Sequence, residues 1–312
     1  MCDFSKIKNY PIRERKNKVH IKNFAQPALP DRSFQKYLEH LPDFLAVRYL
    51  KAVAEAIVQA RRSGRPVVLA MGGHVIKVGL SPLVIDLMRR GIITAVAMNG
   101  SGAIHDYEIS LIGETSEDVA EEIKTGRFGM AEETGRALNA AARYGLNNPI
   151  GYGEAIGKLI VEEKNPYAAF SILAAGYTQK IPVTVHVALG TDIIHMHPTA
   201  DGKALGAVTF HDYRKLTAIV CRLDGGVWIN LGSAVVMPEI FVKAVSVARN
   251  LGYPLNGITT VNMDMIQHYR PTENVVRRPT LGTGAGYALT GHHEIMFPLL
   301  RMAVLCGMEM FE

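Results

Sequence analysis

Residues 95–108 read AVAMNGSGAIHDYE, an apolar run that gives way to small residues and then to an acid/base cluster. Ile93 to Met98 is apolar apart from Thr94, the composition of a strand covered on both faces. Asn99-Gly100-Ser101-Gly102 then predicts a turn whose bare backbone can come close to a ligand. His105 and Asp106 follow at the carboxyl end of that strand, where open α/β sheets bind ligands. An ordinary strand-to-helix turn carries the same glycines, so the rest of the chain has to decide.

Working outward, Val67–Met71 predicts a short buried strand ending in Gly72-Gly73-His74, and a helix near 83–90 joins it to the first stretch. Val227–Leu231 is a strand followed by Gly232-Ser233 and a helix near 238–250, and Ile258–Met263 is another. Four strands, near 67–71, 93–98, 227–231 and 258–262, each end in glycine or polar residues before a helix. That repetition predicts an α/β fold with a doubly wound, mostly parallel sheet. Ile181–Ala188 adds a strand, followed by a polar cluster holding His195 and His197. Helices are predicted over 37–63, 114–144, 154–163, 167–177 and 295–308, and loops over 270–278 and the glycine-rich 282–286. Trp228 sits inside an apolar strand and reads as core, as do Met302, Met308 and Met310.

The 312 residues are 48% hydrophobic and 20% charged, enough for a sizeable core. The net charge of +5 belongs to one end: residues 1–30 hold seven Lys/Arg against Asp3 and Glu14, leaving 27 basic and 27 acidic residues beyond. The chain therefore divides into a basic arm, 1–30, and a single neutral domain, 31–312, joined by the Pro-punctuated Gln26–Asp31. No aromatic-interleaved basic surface follows the arm, which argues against nucleic acid and for an acidic neighbouring subunit or water. Cys2, Cys221 and Cys306 form no CxxC pair and read as reduced, mostly buried thiols. With no signal-peptide core and no run of eighteen apolar residues, a cytoplasmic protein without a membrane partner is expected.

The segments VVLAMGGHVIKVGL, AVAMNGSGAIHDYEISL, IPVTVHVALGTDIIHMH, GVWINLGSAVV and HEIMFPLL stand in an order and spacing that resembles the deoxyhypusine synthase family, over about 65–300. The resemblance implies a doubly wound NAD-binding fold, a homotetramer with sites between paired subunits, and an arm covering a neighbour's site entrance. It also implies NAD as cofactor and a polyamine or related amine as substrate. Position by position, it implies cofactor contacts at Gly72, Gly73, His74, Asn99, Gly100, Ser101, Gly102, Gly232, Ser233, Asn262, Met263 and His292, and an amine-holding carboxylate at Asp192.

The chain departs from that family where chemistry is done. The position of the imine-forming lysine falls near Pro279, and no lysine lies between Lys243 and the C-terminus. Arg277 and Arg278 cannot replace it, because a guanidinium stays protonated. The Lys-His pair after the late glycine turn is Met237-Pro238, and the paired acids after the second turn are Ile104-His105. Deoxyhypusine synthesis itself is therefore not expected; transfer without a covalent lysine, or oxidation of an amine, is. His105, Asp106, Asp192 and His195 are the candidate acid/base and amine-binding residues. Two further readings stay open: a non-catalytic nucleotide- or amine-binding protein, and a metal hydrolase drawing on His195, His197, Asp106, Asp192 and Glu294.

Overall fold

The computed structural model describes residues 3–24, 27, 32–42 and 44–309. Cys2, Met310 and most of the Gln26–Asp31 linker lie outside the described residues. Among the described residues there are eight strands: β1 Asn17–His20, β2 Val67–Met71, β3 Ala95–Asn99, β4 Glu114–Glu117, β5 Val183–His186, β6 Val227–Leu231, β7 Thr259–Asp264 and β8 Ala285–Thr290. Six of them form one sheet in the order β5-β3-β2-β6-β7-β8, every pair parallel, and β1 pairs antiparallel with β4. The chain winds outward from β2 through β3 to β5, then returns to the other side of β2 with β6. The order reverses between β2 and β6, the switch point of a doubly wound sheet.

Residues of β2 and β6 are buried along their whole length, as strands covered by helices on both faces must be. One apolar layer gathers Leu69, Met98, Tyr107, Ile156 and Phe297, and the other gathers Val68, Ala97, Leu216 and Trp228. Trp228 stacks on Phe241 at 4.0 Å between ring centroids, a core residue as its setting predicts. Cys221 is half-buried and Cys306 is buried. Among the described residues, no helix is long and apolar enough to cross a membrane.

The turn at Asn99–Gly102 is the strand-to-helix junction itself: Asn99 caps the helix Gly100–Ile112, its side chain accepting from the Gly102 N–H at 3.0 Å. Several expectations are corrected. The helix predicted over 114–144 is broken, because Gly113 ends the preceding helix in the left-handed region and 114–117 becomes β4. Helix resumes only at Val119–Glu122 and Glu132–Asn147. The helix predicted over 37–63 divides into Arg32–His40 and Leu45–Arg62 around Pro42, which has no N–H to continue it. The basic loop 270–278 is a π-helical turn over Thr272–Arg277, with Val275 in the core, and β8 follows the glycine-rich stretch.

The basic arm is joined to the domain of its own chain. Its described residues pack on their own chain, with Asn17 opposite Glu117, Val19 opposite Thr115, and Tyr10 bridging to Ala131. Arg15 is only 5% exposed, while the other basic residues of the arm are exposed.

Candidate functional site

At the carboxyl ends of β2 and β3 a cleft of about 250 Å³ is lined by Ser101, His105, Glu108, Glu117, Asp192 and Lys77. The helix Gly100–Ile112 supplies His105 and Glu108 one turn apart, and β4 and the arm close the cleft with Glu117 and Arg15. A larger hollow of about 580 Å³ lies beside the start of β5, but it contains no histidine, and its Glu154 is paired with Lys215 at 2.8 Å. The smaller cleft is where the titratable groups converge.

Asp192 sits against the first turn of the helix Gly100–Ile112, in the space that a side chain at Gly100 would need. Its side chain is 9% exposed, and Oδ2 has no hydrogen-bond partner. Burial without a paired cation pushes its carboxyl up to about 6. His195 stands behind it, in the turn Ile193–Met196. Its Nδ1 accepts from the Gly190 and Asp192 N–H groups at 3.1 and 3.2 Å, and its Nε2 points at Asp192 Oδ2 from 4.0 Å. That turn gives Asp192 a fixed backbone and leaves its carboxylate without a charge partner.

His105 lies beside Gly73, whose missing Cβ would come 3.0 Å from the imidazole Cδ2. The ring's Nδ1 is 2.7 Å from Thr115 Oγ1, and among the described residues Nε2 makes no hydrogen bond. Burial lowers its pKa to about 4, so the imidazole is neutral at physiological pH. Glu108, fully buried, would be raised by burial, but the charge and hydrogen bonds of Arg15 outweigh this and hold it below the usual range. Glu117 goes the other way, raised because burial outweighs its more distant contact with Arg15 at 3.7 Å.

Asp106 is not in the cleft. It lies fully buried, accepting from Ser171 Oγ at 2.5 Å and from the Ile172 and Leu173 N–H groups at 2.8 and 3.2 Å, and so anchors the helix Ile172–Gln179. Its neighbour His105 is rotated about 100° away around the helix, which is why adjacent positions serve different faces. Asn262 and Met263 are interior residues of β7: Asn262 accepts from Asn230 Nδ2 at 2.7 Å and donates to Gln267 at 2.6 Å. Ser233 is buried and accepts from the Met237 N–H at 3.2 Å, starting the next helix. His292 is exposed, 3.9 Å from Glu294, and lines no part of the cleft.

The glycines expected to open a cofactor cradle are filled by the chain itself. A Cβ at Gly72 would strike the Gly232 carbonyl, one at Gly232 would lie 2.7 Å from the His293 ring, and one at Gly102 would lie 3.2 Å from Met98. Gly232 requires glycine for a second reason, its φ of +65°. At the switch point two imidazoles meet instead, His74 and His293, with centroids 5.3 Å apart. His293 is 1% exposed, both ring nitrogens lack hydrogen bonds, and Nε2 is 3.5 Å from Asp264 Oδ1. Burial, followed by the charges of His293 and Lys77, lowers the pKa of His74.

Sequence reading missed Lys77, Glu108, Thr115, Arg15 and His293. Lys77 lies three residues past His74, a signal that was available; the others are brought in by tertiary pairing. Among the described residues, no group of three His, Cys, Asp or Glu is arranged to hold a metal. His197 is buried in a different place from His195, its Nε2 donating to the Gly129 carbonyl at 2.8 Å.

The fold and site define an α/β protein with a doubly wound parallel sheet and a titratable cleft at its carboxyl edge. Among solved structures, the same fold occurs in a protein from Entamoeba histolytica assigned as a deoxyhypusine synthase, with 11% identity, 96% of this chain and 97% of that one covered, and a TM-score of 0.50. It occurs too in an LOR/SDH protein from Methanococcus maripaludis S2, with 16% identity, 90% and 73% coverage, and a TM-score of 0.52. A variant of AgrE in complex with L-arginine is similar at 14% identity and a TM-score of 0.50, over 89% of this chain and 34% of that one. The chain thus spans about a third of the length of AgrE, and likewise of the arginine dihydrolase ArgZ (32%). No family model matches the chain, and no curated protein does.

Proposed function

We propose that this protein is an enzyme acting on an amine, with Asp192 as the ammonium anchor and His105 as the base. The observation that carries the reading is the sealed, unpartnered Asp192 Oδ2 sharing one small cleft with a neutral imidazole. An ammonium group gives that oxygen a charge-assisted hydrogen bond and restores the ionisation that burial opposes. The His105 Nε2 takes a proton from substrate, and the positive charge of Lys77 disfavours the protonated ring before substrate arrives. AgrE, which is similar in fold over a third of its length and of which one variant is in complex with L-arginine, suggests the substrate class by analogy alone.

NAD is the proposed cofactor, on the resemblance to deoxyhypusine synthases. The glycines do not hold a cradle open for it; the reading rests on His74 and on the unpartnered Nδ1 of His293 at the β2/β6 switch point, where this architecture binds dinucleotides. Bound there, NAD would supply a hydride acceptor for the carbon next to the amine nitrogen. A homotetramer in the cytoplasm is likewise the proposed assembly and setting.

The self-filled glycines favour a second reading, a binding protein for amines that needs no dinucleotide. Calorimetry on the full chain separates the two. Spermidine, putrescine, ornithine and arginine are titrated with and without NAD, against Asp192→Asn. Amine binding lost in the variant, together with NAD binding and turnover, supports the enzyme; amine binding alone supports the second reading; no binding of any amine refutes both.

A further inference from the structure

We infer that Thr115 and Glu108, held by Arg15 of the arm, are positioning residues that fix which nitrogen of His105 carries the proton. The inference deepens the proposed function and rests on His105 being the base there.

Glu108 follows His105 on the same helix and has both carboxylate oxygens occupied. Oε1 accepts from Arg15 Nη1 and from Thr134 Oγ1, each at 3.0 Å. Oε2 accepts from Arg15 Nη2 at 2.7 Å and from Thr115 Oγ1 at 2.5 Å. The two-pronged guanidinium contact keeps Glu108 ionised, and an ionised carboxylate can only accept. The single hydroxyl proton of Thr115 must therefore go to Glu108. Its oxygen is then left as an acceptor toward His105 Nδ1 at 2.7 Å, so the imidazole proton sits on Nδ1. Nε2 keeps its lone pair and, among the described residues, makes no hydrogen bond. The opposite tautomer would leave two acceptors, Thr115 Oγ1 and Nδ1, facing each other without a proton, or turn the hydroxyl away from a buried carboxylate.

The arrangement is made by the arm. Thr115 points inward because β4 alternates, Thr115 and Glu117 buried between half-buried neighbours, and Val19 of β1 is its register partner. Arg15, in the same segment, delivers the charge from 93 positions upstream of Glu108. The basic arm is thus part of the apparatus that orients the base of its own chain.

The test reads the tautomer directly. Full-length protein labelled with ¹⁵N-histidine is observed by two-bond ¹H–¹⁵N spectroscopy at pH 7, with His105→Gln identifying the signal. The wild type is expected to show the Nδ1–H form, Thr115→Ser to retain it, and Thr115→Val to lose it. An Nε2–H form in the wild type overturns the inference, and so does a spectrum that Thr115→Val leaves unchanged. If Thr115→Val does not fold, the wild-type tautomer and its retention in Thr115→Ser decide. Amine affinity measured on the same samples keeps the two ideas apart. A locked tautomer without amine binding leaves the relay standing and removes the proposed function; amine binding with the wrong tautomer removes the relay alone.

Discussion

The carboxylate of Asp192 occupies the space that a side chain at Gly100 would fill, so that the first residue of one helix is the seat of a carboxylate from a distant turn. A side chain at Gly100 cannot be added without moving Asp192. Gly100→Ala is therefore expected to cost about 1–3 kcal/mol by overpacking and to abolish amine binding by displacing Asp192. In Gly100→Ala/Asp192→Ala the stability cost should largely vanish. A double-mutant cycle by urea denaturation that returns additive costs would show that the two do not share this space.

Removing the charge of Asp192 should stabilise the free protein. The folded carboxyl is raised from 3.8 to about 6, so its favourable contribution is present below the lower value and lost as pH rises through the upper one. Above neutrality the wild type carries a penalty of up to about 3 kcal/mol that Asp192→Asn escapes. The variant should melt higher than wild type at pH 7.5, with the difference shrinking toward pH 4. A variant less stable than wild type at both pH values would mean that Asp192 is held for structure.

Amine affinity should rise with pH through about 6, as Asp192 ionises in the free protein. His105, neutral above about 4, adds no step between pH 5 and 8. Calorimetric titrations across that range should show one limb, kept in His105→Gln and lost in Asp192→Asn. A limb that disappears with His105 would assign the titration to the imidazole instead.

Arg15→Ala should destabilise the chain by about 3–5 kcal/mol, because it leaves Glu108 buried without its cation. Lys8→Ala, a charge lost from an exposed place in the same arm, should stay within about 0.5 kcal/mol. Equal effects in urea melts would show that the arm acts only through its overall charge.

Asp106→Ala strips three donors of their shared acceptor and should cost about 3 kcal/mol. Amine affinity of the folded fraction should be unchanged, since the residue lies outside the cleft. A selective loss of affinity with normal stability would return Asp106 to the site.

The parallel sheet was legible because its signal is local: Val67–Met71, Val227–Leu231 and Thr259–Asp264 are apolar runs closed by small or polar residues. β4 was not, since Glu114–Glu117 has a polar sequence whose strand state depends on pairing with β1, almost a hundred residues away. β8 was hidden by its glycines and by a half-exposed edge position. At the site, His105, Ser101 and Asp192 line one cleft and Asp106 does not. Adjacent helix positions point to different faces, and spacing alone does not say which one meets the cleft.

Sequence by itself determined the winding of this chain, because period, punctuation and strand composition are properties of neighbouring residues. It also placed an imidazole, His105, just after the junction that follows β3, and left no lysine beyond Lys243. Tertiary structure alone decided what surrounds those groups. Whether a glycine opens onto a ligand or onto Gly232, His293 and Asp192, and whether a basic arm floats or buries Arg15 against Glu108, is settled by contacts between segments far apart in the chain. Desolvation and hydrogen-bond direction, which set the charge of Asp192 and the proton of His105, are fixed only by those contacts.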